Sequence, residues 1–196
     1  MEISPQQNPI ELFQEWLQAA GKTEPNDPNA MALATVSADG KPSVRMVLLK
    51  DIYNGGFCFY TNMESRKGND LATNQHAALC FHWKSLTRQV RVEGAVEPVT
   101  TAMADEYFKS RHPLSRLGAW ASQQSRPLGS RKELEDRVAS YEKKFAGQEI
   151  PRPPYWSGYR LVPQAIEFWQ QGQGRLHDRF LFTRAGNSWT MVRLNP

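Results

Sequence analysis

Hydrophobic residues recur at helical spacing near the start of the chain. This spacing predicts a helix over residues 10–20, with Pro9 in its first turn and Gly21 at its end. The residues that share its apolar face are Ile10, Phe13, Leu17 and Ala20. The polar stretch that follows, to residue 29, is expected to be a loop.

From residue 31 the apolar positions alternate, which is the period of a β-strand. Strands are predicted over residues 31–37, 43–50, 57–62, 76–83, 88–99, 157–170, 179–184 and 189–196. Asp39-Gly40 is a strong hairpin signal, and residues 51–56 are predicted to form a turn. A short polar helix is expected over residues 65–74.

Residues 100–150 have a helical character and interrupt the strands. Adjacent strands joined by tight turns favour an antiparallel sheet over parallel βαβ units. The sequence therefore predicts an α+β fold that is mainly β, an antiparallel barrel with flanking helices. We expect one domain over residues 1–196, with an N-terminal helix and loop over 1–30 and a helical insert over 100–150.

Composition narrows the class of partner. The net charge is +4, but the 24 Lys and Arg residues are scattered, whereas nucleic-acid binding is typical of a block or stripe of charge. A phosphorylated small molecule fits better. No apolar run is long enough to span a membrane and the N-terminus lacks the layout of a signal peptide, so we expect a soluble cytoplasmic protein. Cys58 and Cys80 form no metal-binding spacing and are expected to be buried, reduced thiols.

No glycine-rich phosphate loop and no hydrolase motif is present, so a bound phosphate must be held by side chains. In the strand 45–50, Arg45 and Lys50 put one cation on each apolar face. Burying a cation there requires an anionic partner. The alternative, that both cations lie at strand ends in water, stays equally open.

Three further segments are candidates. The first follows the strand that ends near Tyr60 and Thr61. There Ser65 can cap a helix whose first turn carries Arg66 and Lys67. These cations indicate either a bound phosphate at the helix N-terminus or an exposed basic turn. In the segment 175–179, Arg175, His177 and Arg179 would project to one side of a strand. Like charges this close indicate an anion or an electron-rich ring between them.

The third segment is 107–115. Tyr107 and Arg111 are helical neighbours, and with Ser115 they can bind a phosphate through one charge and two hydroxyls. Gln89, Gln124, Ser125 and Trp169 are weaker candidates. His76, His82 and His112 are assigned no role.

Five motifs occur in a fixed order: RMVLLK at 45–50, FYTNMESRKG at 59–68, RQVRVEG at 88–94, QSRPL at 124–128, and IEFWQ followed by RLHDR at 166–179. In this order they closely resemble the pyridoxamine 5′-phosphate oxidase family, over almost the whole chain. The resemblance implies a homodimeric split β-barrel with FMN at the subunit interface.

The resemblance also implies roles for individual residues. The positions that match FMN contacts are Arg45, Met46, Val47, Leu48, Leu49, Lys50, Tyr60, Thr61, Arg66, Lys67, Gln89, Gln124, Ser125, Trp169 and Arg179. Those that match substrate contacts are Lys50, Tyr107, Arg111, Ser115, Arg175 and His177. Among them, Tyr107, Arg111 and Ser115 surround the substrate phosphate, and Arg175 and His177 are the catalytic pair.

The implied reaction converts pyridoxamine or pyridoxine 5′-phosphate to pyridoxal 5′-phosphate, with oxygen as acceptor and hydrogen peroxide as product. Two alternatives stay open: a flavin oxidase of the phenazine-pathway type, and a non-catalytic protein that binds flavin or pyridoxal phosphate. The chain begins close to its first helix and lacks most of the arm that covers the site in many family members. We therefore expect either a different closure or a more open site.

Overall fold

The structure is a computed structural model that describes residues 2–196. Its first helix, α1, spans Pro9–Thr23. The Asn8 side chain caps it by accepting a hydrogen bond from the Ile10 N–H at 2.9 Å. The helix does not end at Gly21 as predicted. Gly21 does not have a positive φ, so it does not adopt the left-handed conformation that ends many helices, and α1 continues to Thr23.

Within the described residues, nine strands form one antiparallel sheet. They are β1 (Ala30–Val36), β2 (Pro42–Leu48), β3 (Asp51–Tyr53), β4 (Gly56–Asn62), β5 (His76–Trp83), β6 (Arg88–Pro98), β7 (Trp156–Gln170), β8 (Asp178–Ala185) and β9 (Ser188–Arg193). The order is β2-β1-β5-β6-β7-β4-β3, and β8 also pairs with β7 and with β9. The sheet curls into a half-barrel, which confirms the predicted antiparallel α+β fold.

One predicted turn contains a strand. Residues 51–53 pair with β4, from Asp51 opposite Cys58 to Tyr53 opposite Gly56. Only Asn54 and Gly55, both with positive φ, make the connection. The short β3 forms one edge of the sheet. The sequence carries no sign of this strand because the adjacent asparagine and glycines indicate a turn.

Four more helices are α2 (Arg66–Thr73), α3 (Thr101–Ser110), α4 (Pro113–Ala121) and α5 (Arg131–Lys144). The last three fall where the sequence predicts the helical insert. In the part of the chain from residue 2 onward, no helix is long and apolar enough to cross a membrane.

The main core lies between α1 and the concave side of the sheet. Phe13 of α1 is fully buried, with its ring centroid 4.9 Å from that of Phe57 and 4.8 Å from that of Phe81. Along β6 the valines are buried and Arg91 and Glu93 are exposed, as the alternation predicts. Both cysteines are free; Cys58 is buried as expected, whereas Cys80 is only half-buried.

Candidate active site

A cavity of about 910 Å³ lies between β2, β4 and the helices α3 and α4. This volume suits a cofactor together with a small substrate. Most of the residues predicted to bind cofactor or substrate line it: Arg45, Met46, Val47, Leu48, Lys50, Tyr60, Thr61, Lys67, Tyr107, Arg111, Ser115 and Gln124. Their contacts with bound molecules stay a prediction.

The floor of the cavity holds a buried ammonium group. Lys67 is 8% exposed, and its Nζ donates to Gln124 Oε1 at 2.8 Å, Thr61 Oγ1 at 3.1 Å and Ser65 Oγ at 3.3 Å. All three acceptors are neutral. Burial, and secondarily the positive charge of Arg45, lower the pKa of Lys67 to about 8. A buried cation with only neutral partners favours an added anion.

Lys67 is placed by the start of α2. The Ser65 hydroxyl caps this helix by accepting from the Gly68 N–H at 3.3 Å, as the sequence predicts. Arg66 is exposed and does not line the cavity. Burial lowers the pKa of the Arg45 guanidinium, and the nearby positive charge of Arg66 lowers it further.

The two cations of residues 45–50 differ in environment. Arg45 is partly buried, and its Nη2 lies 3.7 Å from an oxygen of the buried Asp70 carboxylate. The interpretation that it lies in water at a strand end is therefore wrong. Lys50 lies beyond the end of β2 and is exposed, with Nζ 5.8 Å from the centroid of the Tyr107 ring.

A second cation lies against aromatic rings on the opposite wall. The Arg111 guanidinium lies 4.8 Å from the Trp156 ring centroid, and burial lowers its pKa. Its Nη1 is buried and has no hydrogen-bond partner among the described residues. Tyr107 stacks on Tyr60 with ring centroids 4.1 Å apart. The prediction that Arg111 is helical is wrong, because α3 ends at Ser110 and Arg111 is its C-cap residue, with an extended backbone.

Five of the other predicted residues form a separate group on β6, β7, β8 and the turn that precedes β8. Gln89 pairs with Trp169, and Trp169 pairs with Arg179. The His177 ring centroid lies 4.6 Å from that of Trp169, and its Nδ1 accepts the Gly172 N–H at 3.3 Å. We call these residues, together with Arg175, the strand cluster. They do not line the cavity within one chain.

The prediction that Arg175, His177 and Arg179 share one side of a strand is wrong. Arg175 ends a short 3-10 turn with φ of 65°, and only Arg179 lies in β8. Gly172 makes this turn possible, because a Cβ there would lie 1.9 Å from the Leu176 carbonyl oxygen. The chain therefore folds back before β8 instead of extending.

Some residues depart from the sequence interpretation in other ways. The Leu49 side chain is buried in the core, and Ser125 is exposed with φ of 72°. Neither lines the cavity. Sequence reasoning missed Trp156 and gave no role to His112, yet both line the cavity. The only signal for Trp156 is its place after the proline-rich segment 151–154.

Two family models match the chain. The one described as pyridoxamine 5′-phosphate oxidase covers residues 17–145. The one described as the pyridoxine 5′-phosphate oxidase C-terminal dimerisation region covers residues 156–196. The second match includes the strand cluster except for Gln89.

Curated relatives carry the same description over nearly their whole length. A pyridoxine/pyridoxamine 5′-phosphate oxidase of Rhodospirillum rubrum is 60% identical over 194 residues, covering 96% of each chain. A protein of the same name from Gluconobacter oxydans is 57% identical, covering 96% of this chain and 94% of its own.

Solved structures share the fold. PhzG from Burkholderia lata, in complex with tetrahydrophenazine-1-carboxylic acid, matches with a TM-score of 0.91 and 33% identity over 98% of this chain and 95% of its own. A pyridoxamine 5′-phosphate oxidase-related, FMN-binding protein from Nostoc punctiforme matches over 100% of both chains with a TM-score of 0.77, and its 15% identity supports the fold alone.

Proposed function

The chain belongs to the pyridoxamine 5′-phosphate oxidase family, and we propose on that premise that it oxidises pyridoxamine or pyridoxine 5′-phosphate to pyridoxal 5′-phosphate with FMN and oxygen. It is an oxidoreductase. The observation that carries the proposal is a cavity with two cations, Lys67 and Arg111, that have no anionic partner among residues 2–196. Two phosphates, one from FMN and one from substrate, would supply the missing charge.

Lys67 fits the phosphate of FMN. Its buried ammonium has neutral acceptors only, and α2 begins beside it, so the helix N-terminus favours the same anion. Arg66 and Arg45 would add positive charge nearby. Membership of the family supports a flavin as the cofactor. The buried ammonium of Lys67 needs an anion, and the phosphate of FMN would supply it.

Arg111 fits the phosphate of the substrate. Its unpartnered Nη1 offers a donor, and Tyr107 and Ser115 would add hydroxyls. The aromatic rings of Phe108 and Trp156 limit where the guanidinium can move. Binding energy from this remote group would align the reacting carbon.

Bound FMN supplies the redox chemistry, since its ring can take two electrons and a proton from the substrate carbon and return them to oxygen. The amine would be oxidised to an imine, and the proton that its nitrogen loses would complete hydrogen peroxide. Water would hydrolyse the imine, so that oxygen and water are consumed and aldehyde, ammonia and hydrogen peroxide are released. The alcohol would need oxygen alone and release hydrogen peroxide. Arg175 and His177 would orient the amine or hydroxyl and manage its proton.

His177 is prepared for this role by its backbone contact. Because Nδ1 accepts the Gly172 N–H, the neutral ring carries its proton on Nε2. Nε2 would therefore face the substrate as a donor. The Trp169 ring, tilted by 43° to the His177 ring at a centroid distance of 4.6 Å, limits rotation of the imidazole.

Within one chain the strand cluster does not line the cavity, so the complete site requires a second copy. The C-terminal dimerisation match supports a homodimer. Exposed apolar side chains on β2, Val44 at 68% and Met46 at 65%, support β2 as part of the contact surface. In the proposed dimer, each cavity would receive Arg175 and His177 from the partner.

The test uses purified protein. An absorbance spectrum would detect bound flavin, and pyridoxine 5′-phosphate would then be added in air. We expect aldehyde and hydrogen peroxide to form together. Bound flavin without either product would contradict the proposed oxidase and leave the phenazine-type and ligand-binding alternatives.

The likeness to PhzG supports a second candidate, oxidation of an unphosphorylated aromatic compound. The ligand named for PhzG is a carboxylic acid, and a carboxylate could also pair with Arg111. The hydroxyls of Tyr107 and Ser115 beside Arg111 favour a phosphate, which offers more acceptor oxygens than a carboxylate. Competition distinguishes the two: inorganic phosphate and pyridoxal 5′-phosphate should inhibit only the phosphate-dependent enzyme.

A further inference from the structure

The Arg45 guanidinium is held at the cavity wall by neutral oxygens. Its Nη1 donates to Thr35 Oγ1 at 2.7 Å and to the Leu33 carbonyl at 3.1 Å, and its Nη2 donates to Ser43 Oγ at 2.8 Å. The Leu33 carbonyl belongs to the backbone of the sheet, and of the two side-chain acceptors the Thr35 hydroxyl is the one with a hydrogen bond to a helix, at Asp70 of α2. The orientation of Arg45 therefore depends on what orients Thr35.

Thr35 is oriented by a buried carboxylate. Its hydroxyl donates to Asp70 Oδ2 at 2.6 Å, and the two residues are 1% and 5% exposed. A hydroxyl has a single hydrogen, so once it is given to Asp70, the lone pairs of Thr35 are left for Arg45. Arg45 itself lies 3.7 Å from the carboxylate, an ion-pair distance too long for a hydrogen bond.

Thr35 thus separates two charges that would otherwise meet. A guanidinium and a carboxylate in direct contact form a short, charge-assisted hydrogen bond. If the hydroxyl were absent, Arg45 would close the gap to Asp70 and move towards α2. Neither Thr35 nor Asp70 lines the cavity, so any effect on a ligand must pass through Arg45.

We propose that Thr35, oriented by Asp70, is a positioning residue that holds Arg45 in place to bind the flavin. The inference rests on the proposed function, in which Arg45 contacts FMN. It links Thr35 of β1 and Asp70 of α2, which have no assigned role in binding, to the cofactor through one hydroxyl group.

The test is a titration of apoprotein with FMN, followed by flavin fluorescence. Thr35→Val removes the hydroxyl and keeps the shape, and Thr35→Ser keeps the hydroxyl. We expect Thr35→Val to bind FMN about tenfold more weakly, and Thr35→Ser to stay within about twofold of the parent protein. Circular dichroism and melting temperature report folding; if the Val variant does not fold, Thr35→Ala removes the same hydroxyl.

A double-mutant cycle with Arg45→Met shows whether Thr35 acts through Arg45. In the Met background, we expect Thr35→Val to cause no further loss of affinity. Two results would overturn the inference and leave the proposed function standing. In one, Thr35→Val weakens FMN binding equally in both backgrounds. In the other, Thr35→Val has no effect although Arg45→Met alone weakens FMN binding. Unchanged FMN affinity in Arg45→Met would remove Arg45 from the proposed site and the inference with it.

Discussion

FMN affinity should fall as pH rises from 7 to 9, because Lys67 loses its proton within this range. Burial lowers the pKa of Lys67 to about 8 in the ligand-free protein. A lysine is charged below its pKa, so the ammonium that attracts the phosphate is present at pH 7 and is lost above pH 8. The phosphate of FMN stays dianionic throughout, since its second pKa is about 6.

The size of the effect follows from the fraction of protonated lysine. About nine-tenths of Lys67 is protonated at pH 7 and about one-tenth at pH 9, so the dissociation constant should rise about tenfold, or ~1.4 kcal/mol. Stability of the apoprotein should change in the opposite direction. Since the folded-state pKa is depressed, the unfolded chain binds more protons between pH 8 and the ordinary lysine value of 10.5, and the free energy of unfolding should rise with pH there.

The assay is a fluorescence titration of apoprotein with FMN at several pH values. Lys67→Met should bind weakly with a dissociation constant that no longer depends on pH. Lys22→Met, a change of an exposed lysine in the last turn of α1, should keep the parent pH dependence. An equal dissociation constant at pH 7 and pH 9, or an unchanged slope in Lys67→Met, would refute the reasoning.

Three further predictions concern catalysis, assembly and the core. Arg175→Ala should lower turnover about 100-fold while FMN stays bound, and unchanged turnover would remove Arg175 from the mechanism. Val44→Asp places a carboxylate on the exposed apolar side of β2 and should shift the protein from dimer to monomer in sedimentation velocity; a stable dimer would exclude Val44 from the contact surface. Phe13→Ala should lower the free energy of unfolding in urea by about 3–5 kcal/mol, and a loss below about 1 kcal/mol would contradict the close aromatic packing around Phe13.

Local patterns predicted most elements of the fold. The alternation of β6 and the capping of α2 by Ser65 depend on neighbouring residues alone, and the structure confirms both. The errors occur where the backbone conformation of a few residues decides the outcome. At residues 172–177 a tight turn takes the place of the extended chain expected for residues 175–179, and at Gly21 the helix continues.

The site was less accessible to sequence reasoning, since its parts meet through long-range pairing. Arg45 and Lys67 come together because β1, β2 and α2 pack against one another. No sequence spacing indicates that the Thr35 hydroxyl would lie between Arg45 and Asp70. Gln89 and Trp169 are likewise placed by strand pairing: they lie opposite each other on β6 and β7, and neither lines the cavity of the same chain.

The central claim, a phosphate-dependent oxidase, is tested most directly by measuring oxygen uptake and aldehyde formation together with pyridoxamine 5′-phosphate and with unphosphorylated pyridoxamine. The account predicts one oxygen consumed for each aldehyde formed, and a kcat/KM at least about 100-fold lower without the phosphate, because Arg111 then lacks its anion. Equal kcat/KM for both compounds, or flavin-loaded protein that consumes no oxygen with either, would contradict it.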